Sequence, residues 1–264
     1  MNSSPANVLL LAGGGVPPDL AAESGVNKRC LIVLGGKTVL GRMLEALLAA
    51  LPQARMVVNL GPDERGVELL ASCGPLVSHY CCRGGLLEAI SEGMAQFVSE
   101  QGDGFHDENL LLANVDLPLV RHEHIGEFLR QCAELGADGV WPVVERTAVQ
   151  AQFPGSKRTY IRTRQGTFTG GNIFLIKPRL LRDHRQLLEK LYQSRKKPLA
   201  LASAFSSRIV MRVLAGTVSL PEIEQEFSQR FNARLRFLPF AHPEVAVDLD
   251  KLSDYRLLRA VLGS

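Results

Sequence analysis

The sequence predicts a three-layer α/β fold: a mostly parallel sheet with helices on both faces, to which an antiparallel flap and a helical insertion are added. Three observations predict it. Short apolar runs of strand length alternate with amphipathic helical stripes through the first half of the chain. The rhythm changes after Gly139, first to longer and more polar strand patterns and then, from Arg179, to helical ones. Finally, 264 residues at 46% hydrophobic can bury a substantial core but are few for two large domains, so one domain with an insertion is expected.

The elements follow in order. "NVLLLAG" is a fully buried strand that stops on Gly13, Gly14 and Gly15, and Pro17 and Pro18 then bar the helix that usually follows such a stop. "KTVLGRMLEALLAALP" sets Val39, Leu40, Met43, Leu44, Leu47, Leu48 and Leu51 on one helical stripe. "ARMVVNLG", "LVSHYC" and "NLLLANVDLPLV" are further strands, and "DERGVELLASC", "GGLLEAISEGMAQFVSE" and "RHEHIGEFLRQCAELG" are the helices between and after them. "GVWPVVER" and "TYIRTRQGTFTGGNIFLIKP", turning at Arg164 to Gly166, predict the flap. Helical patterns fill "RLLRDHRQLLEKLYQSR", "LALASAFSSRIVMRVLAG" and "SLPEIEQEFSQRFN", the last opened by a capping box of Ser219 and Glu222. The strands "ARLRFLPF" and "EVAVDLD" and a closing helix, "SDYRLLRAVL", complete the chain.

Charge and cysteine usage exclude several classes. Thirty Lys and Arg against 27 Asp and Glu leave an excess of +3, too small for a nucleic-acid footprint. Local basic clusters, Lys157 to Arg164 and Arg195 to Lys197, suit a small anionic ligand or simply a solvated face. Five cysteines (Cys30, Cys73, Cys81, Cys82, Cys132) form no CxxC pair, which argues against a disulfide framework or a zinc site. The first residues carry neither a basic n-region nor an apolar run long enough for a signal peptide or a membrane span, so a cytoplasmic protein with no membrane partner is expected.

The glycines after the first strand invite comparison with phosphate-binding loops. A P-loop needs Lys and a hydroxyl at fixed spacing, and neither is present. A dinucleotide turn needs GxGxxG running into a helix, but residue 18 is Pro and the second strand ends in Asn59 rather than an acid. What stands here is "LAGGG", a loop of eleven residues, and then "NKRCLIVLGGKTVLGRML". This pair of motifs resembles the nucleotidyltransferases typified by molybdopterin-cofactor guanylyltransferases, sugar-phosphate and methylerythritol-phosphate nucleotidyltransferases, and acidic-sugar cytidylyltransferases. Further stations occur in the family's order: "LLLANVDLPLV" resembles its DxP strand, "FTGGNIFLIKP" its GGN strand, and "EVAVDLDKLSDYRLL" its closing VDIDTPEDL segment.

The resemblance implies a GT-A-like, Rossmann-related fold and an Mg²⁺-dependent transferase that moves an NMP group from an NTP to a small anionic phosphorylated acceptor and releases pyrophosphate. Residues 1–140 would form the nucleotide-binding half and 141–245 the acceptor-side flap and helical insertion of a single domain, 1–264. It implies nucleotide binding by Leu11, Ala12, Gly13, Gly14, Gly15, Lys28 and Asn114, catalysis by Lys28, Asp116 and Asp250, metal binding by Asp116 and Asp250, and acceptor contacts from Gly171 and Asn172. Residue chemistry is compatible with these roles: bare backbone admits a phosphate or base edge, an ammonium offsets charge on the leaving group, and carboxylates suit Mg²⁺.

Blander roles stand beside each of these. For the glycines it is a tight turn, for Lys28 an exposed lysine, for Asp116 a helix N-cap and for Gly171 and Asn172 a turn. Asp248, on the same face of a strand as Asp250 by alternation, is the reserve metal ligand. His122 and His124 hint at a metal but are expected to be exposed at a helix start. The family's loop Arg is missing, with Val16, Pro17, Pro18 and Asp19 in its stretch, so either Arg29 or a flap lysine supplies that phosphate contact or the triphosphate binds more weakly than in typical members. An NDP-sugar glycosyltransferase, for which Asn114 stands in the first DxD slot, and an inactive nucleotide-binding relative are the alternatives, and a homodimer is admitted by every one of them.

Overall fold

In the computed structural model, residues 5–61, 64–194 and 206–263 are described. The three-layer α/β arrangement is present, and it is built outward from β1 (Asn7–Leu11). On one side β1 pairs in parallel with β4 (Arg55–Asn59), which pairs in parallel with β5 (Val77–Tyr80); on the other it pairs in parallel with β6 (Leu110–Asn114). Beyond β6 the ladder turns antiparallel, through β10 (Ile173–Ile176), β7 (Gly139–Glu145), β9 (Thr167–Gly170) and β8 (Ile161–Arg162), while β11 (Leu235–Pro239) joins β7 in parallel.

The central strands are apolar throughout because both faces are covered. Val8, Leu10, Met56, Val58, Leu111 and Ala113 point to one layer, where α2 (Val39–Ala50) contributes Leu40, Met43 and Leu47 and α5 (His122–Leu135) contributes Ile125 and Phe128. Leu9, Val57, Leu110 and Leu112 point to the other, against Ile90, Met94 and Phe97 of α4 (Leu86–Gln101). Strand alternation thus splits a continuous apolar run between two cores. A separate two-stranded hairpin, β2 (Val33–Leu34) and β3 (Lys37–Thr38), leads into helix α2, which begins where the Thr38 hydroxyl accepts the Gly41 N–H at 3.0 Å.

Helix α4 lies so close to the sheet that position 93 must lack a side chain. A Cβ on Gly93 would come within 2.5 Å of Leu9 Cδ1 and 2.7 Å of the Tyr80 hydroxyl. Gly93→Ala is therefore expected to lower stability by about 1–3 kcal/mol through overpacking. Urea melts would show it as a lower midpoint at constant slope.

Several expectations need correction. Pro17 and Pro18 do not bar a helix: α1 (Pro18–Ser24) starts on Pro18, because the first helical position needs no N–H and favours proline's fixed φ. The flap is interrupted by α6 (Arg146–Gln152), and its GGN strand is no flap element, since β10 lies inside the central sheet beside β6. The helical stretch after Arg179 divides at His184 into α7 (Pro178–Asp183) and α8 (Arg185–Ser194). "EVAVDLD" forms a 3₁₀ turn over Pro243–Ala246 followed by irregular chain rather than a strand. The expected capping box does open α10 (Leu220–Arg230), with Glu222 Oε2 2.8 Å from the Ser219 N–H. It follows α9 (Ser207–Leu214), and residues 199–205 of the helix expected there lie outside the described residues, as does the Arg195 to Lys197 cluster. Helices α3 (Glu64–Ala71) and α11 (Leu252–Leu262) stand where expected. Among the described residues no helix is long and apolar enough to cross a membrane.

Candidate active site

Sheet register assembles the site. Leu11 pairs with Asn59 of β4 on one side and with Asn114 of β6 on the other. Two residues beyond the last of each strand stand Gly13, Gly61 and Asp116, so all three lie along one carboxyl rim. Successive connections run in opposite directions from β1 and β6, which makes their boundary the switch point where open α/β sheets leave a crevice.

None of Gly13, Gly14 and Gly15 has a positive φ, so a tight turn does not explain them. A Cβ on Gly13 would meet Asn59 Nδ2 at 3.0 Å, which is a packing demand. At Gly14 and Gly15 the nearest atoms to such a Cβ are 4.0 Å (Arg29 Nη1) and 3.8 Å (Asn27 O) away, and both residues are exposed. The protein's own packing therefore does not require glycine at either, and bare backbone is presented outward. Asn59, 5% exposed, ties neighbouring loops together: its Oδ1 accepts the N–H of Gly61 at 3.2 Å and of Cys82 at 3.3 Å. This organising role had one sequence signal, a polar residue closing an apolar strand.

The chain returns to the glycine loop through a bridge between Gly15 and Lys28, and Arg29 N–H donates to Gly14 O at 3.2 Å. Buried Cys30, Leu31 and Ile32 then anchor it to the core. Lys28 consequently reaches over Gly61, its Nζ 3.2 Å from where a Cβ on that residue would be. Gly61 also has φ +63°, a conformation that side chains disfavour, so two constraints keep this gap open for the ammonium. Among the described residues the Lys28 ammonium has no carboxylate within ion-pair distance.

Arg29 draws the two acids together. Its Nη1 lies 2.6 Å from Asp116 Oδ2 and its Nη2 lies 3.1 Å from Asp250 Oδ1. Asp116 is 7% exposed and its Oδ1 is buried with no hydrogen-bond partner among the described residues. Burial pushes its carboxyl above the ordinary carboxylate range; the Arg29 guanidinium pulls it back and the Asp250 charge adds to the push. It caps no helix, since α5 begins at His122. The Asp250 side chain is 64% exposed, but its backbone is fixed, because Leu249 N–H donates to Asp116 O at 2.8 Å and Asp254 Oδ2 accepts the N–H of Asp250 and Lys251 at 3.3 and 3.1 Å.

Asp248 does not join this group. With no strand at 247–250 the alternation argument lapses, and its carboxylate pairs with Arg158, which also holds Asp254 Oδ1 at 2.7 Å. Arg158 itself is largely buried, so at least this member of the Lys157 to Arg164 cluster is spent inside the fold, where a run of basic residues gave no hint of it. His124 is also a correction: it is 2% exposed, facing His242 and Glu244 rather than solvent, whereas His122 is exposed as expected. Gly171 is buried, donates to Pro142 O at 2.8 Å and accepts from Trp141 Nε1 at 2.9 Å, while Asn172 joins Val245 O and the Asn114 N–H through its backbone. Asn172 and Asn114 also meet through their side chains, at 3.5 Å, at the end of β6. A cavity of about 620 Å³ lined by Arg42, Pro118, Arg121, Phe153 and Glu244 among others shares none of the glycine loop, Lys28, Arg29 or the two acids.

A parallel core of this order, a glycine loop after β1 and an acid, Asp116, at the rim of β6 are features of the nucleotidyltransferase class. The chain belongs to the family of the MobA-like NTP transferase domain, whose profile matches residues 8–209. A hypothetical transferase from Thermus thermophilus is 32% identical, with a TM-score of 0.75, over 94% of this chain and 98% of that one. Two more distant structures share the fold: a 4-diphosphocytidyl-2C-methyl-D-erythritol synthase (16% identity, TM-score 0.56, 98% of this chain and 100% of that one) and a nucleotidyl transferase from Methanothermobacter (19%, 0.54, 98% of each). No curated protein matches the chain.

Proposed function

We propose that the protein is an Mg²⁺-dependent nucleotidyltransferase that transfers NMP from an NTP to a small phosphorylated acceptor with release of pyrophosphate. One observation carries this reading: Asp116 and Asp250, 134 positions apart in sequence, both lie within 3.1 Å of a single guanidinium, so they can share a cation. An all-oxygen donor pair with one buried, unpartnered oxygen at Asp116 Oδ1 fits Mg²⁺, which takes a few carboxylates and completes its shell with water and phosphate. The ion, when bound there, would supply charge neutralisation for the phosphates.

The chain's own residues would do the rest. Backbone of Gly13, Gly14 and Gly15, with Leu11 and Ala12 behind it, seats the nucleotide, and the Lys28 ammonium braces the phosphates and offsets charge on the leaving pyrophosphate. Arg29 replaces the loop Arg that the family has and this chain lacks. Asn114 is held at the rim by Asn172, on the side where 141–245 would receive the acceptor. The acceptor phosphate attacks the α-phosphorus in line, and catalysis is positioning plus charge compensation without a covalent intermediate.

Incubation of the purified chain with each of the four NTPs, Mg²⁺ and a panel of phosphorylated acceptors tests the proposal. Pyrophosphate and an NDP-linked product are expected from one pairing. Glycosyl transfer from an NDP-sugar, or nucleotide binding without turnover in any pairing, would overturn it.

A further inference from the structure

A second polar cluster lies apart from the two acids. His124 at the start of α5, His242 at the entry to the 3₁₀ turn and Glu244 within it bring one ligand atom each within 4.8 Å of one another. The imidazoles of His124 and His242 stack with centroids 4.6 Å apart, and His124 Nε2 lies 4.0 Å from Glu244 Oε1. Glu244 is 8% exposed, and although Gln152 Nε2 donates to its Oε1, its Oε2 is buried with no hydrogen-bond partner among the described residues. A buried carboxylate oxygen without a partner costs free energy that a bound cation would recover.

We propose that His124, His242 and Glu244 form a binding site for a zinc-type dication. Two imidazole nitrogens and one carboxylate oxygen suit Zn²⁺ or Co²⁺, whereas Mg²⁺ prefers oxygen alone. The outer groups are in place. His242 Nε2 is 2.8 Å from Glu127 Oε2, which holds the proton on that nitrogen and leaves Nδ1 as the ligand, and Gln152 orients Glu244. His124 Nδ1 accepts the Arg121 N–H at 3.3 Å, so its proton sits on Nε2 in the free chain, where the guanidinium Nη2 of Arg121 stands 3.5 Å away and must swing aside for an ion. Binding through Nε2 moves that proton to Nδ1, with none lost, and returns the N–H of Arg121, an exposed residue, to water.

Ligands at about 2.0–2.1 Å from a tetrahedral ion stand roughly 3.3–3.5 Å apart, so the three side chains must draw inward. His242 is the member free to move, its side chain being 31% exposed. The ion would clamp α5 to the 242–246 segment, which hydrogen-bonds Asn172 through Val245 O. A structural role is therefore expected, independent of the nucleotidyl-transfer reading.

Titrating the full, tag-free chain after chelator treatment with Co²⁺ and with Zn²⁺ tests the site. Visible bands of nitrogen- and oxygen-ligated cobalt at one-to-one stoichiometry, and a thermal midpoint raised by Zn²⁺, are the expected results. His242→Asn and the isosteric Glu244→Gln should each abolish both signals while circular dichroism stays native, and Asp116→Asn should leave them intact. Absence of the bands, their persistence in Glu244→Gln, or a thiolate charge-transfer band that disappears in Cys81→Ser would each overturn the assignment.

Discussion

Asp116→Asn is expected to lower kcat/KM for nucleotidyl transfer by about 100- to 1000-fold, the scale set by removing one preorganised electrostatic group from an active site. The substitution keeps shape and volume at a position that is 7% exposed, so the fold should survive it. What it removes is the charge facing Arg29 and an oxygen, Oδ1, that has no hydrogen-bond partner among the described residues. Pyrophosphate release measures the loss, and calorimetry of NTP binding with and without Mg²⁺ separates lost metal affinity from lost nucleotide affinity. A change of less than tenfold would remove Asp116 from the proposed site.

The same residue sets an acid limb. Burial raises the Asp116 carboxyl above its ordinary value of about 3.9, and only the ionised form can hold a cation. Activity is therefore present above the raised value and lost as pH falls through it, so the acid limb of kcat/KM should lie above the ordinary carboxylate range. Because Arg29 lowers this pKa and Asp250 raises it, removing the guanidinium should move the limb further towards neutrality. A limb that stays fixed in an Arg29 variant would dissociate it from Asp116.

The layered core was legible because β1, β4 and β6 are apolar on both faces and the helices between them carry clean stripes. The glycine loop and the order of its companion motifs were legible for a different reason: they are fixed by spacing along the chain. What spacing could not reveal is which charges meet across it. Arg158 looked like one more surface cation and instead reaches Asp248 and Asp254, 90 and 96 positions away. His124 looked like an exposed helix-start residue, yet the segment that buries it is drawn from residues 242–246, near the other end of the chain. The segment carrying Asp250 alternates like a strand but has no strand to pair with, and it is placed by single backbone bonds such as that from Leu249 to Asp116.

Arg29 yields the prediction that best separates a working site from a structural ion pair. Its guanidinium sits between two carboxylates where a shared cation would bind, so in the free chain it competes with Mg²⁺ for them. Arg29→Met keeps the apolar stem and removes the charge, leaving Asp116 and Asp250 with uncompensated repulsion that a divalent ion relieves. Without nucleotide, Mn²⁺ or Mg²⁺ should then bind about tenfold more tightly than to the parent chain, the equivalent of ~1.4 kcal/mol, read by calorimetry or by the spin resonance of free Mn²⁺. With nucleotide the effect should reverse, because a phosphate loses a charge-assisted hydrogen bond, normally about 1.5–3 kcal/mol, and KM for the NTP should rise roughly 10- to 100-fold. A side chain that merely braced the loop would weaken both when removed. Opposite signs follow only if the guanidinium occupies the cation position in the free protein and moves to the phosphates in the loaded one, and metal affinity that falls or stays level in Arg29→Met would refute that exchange.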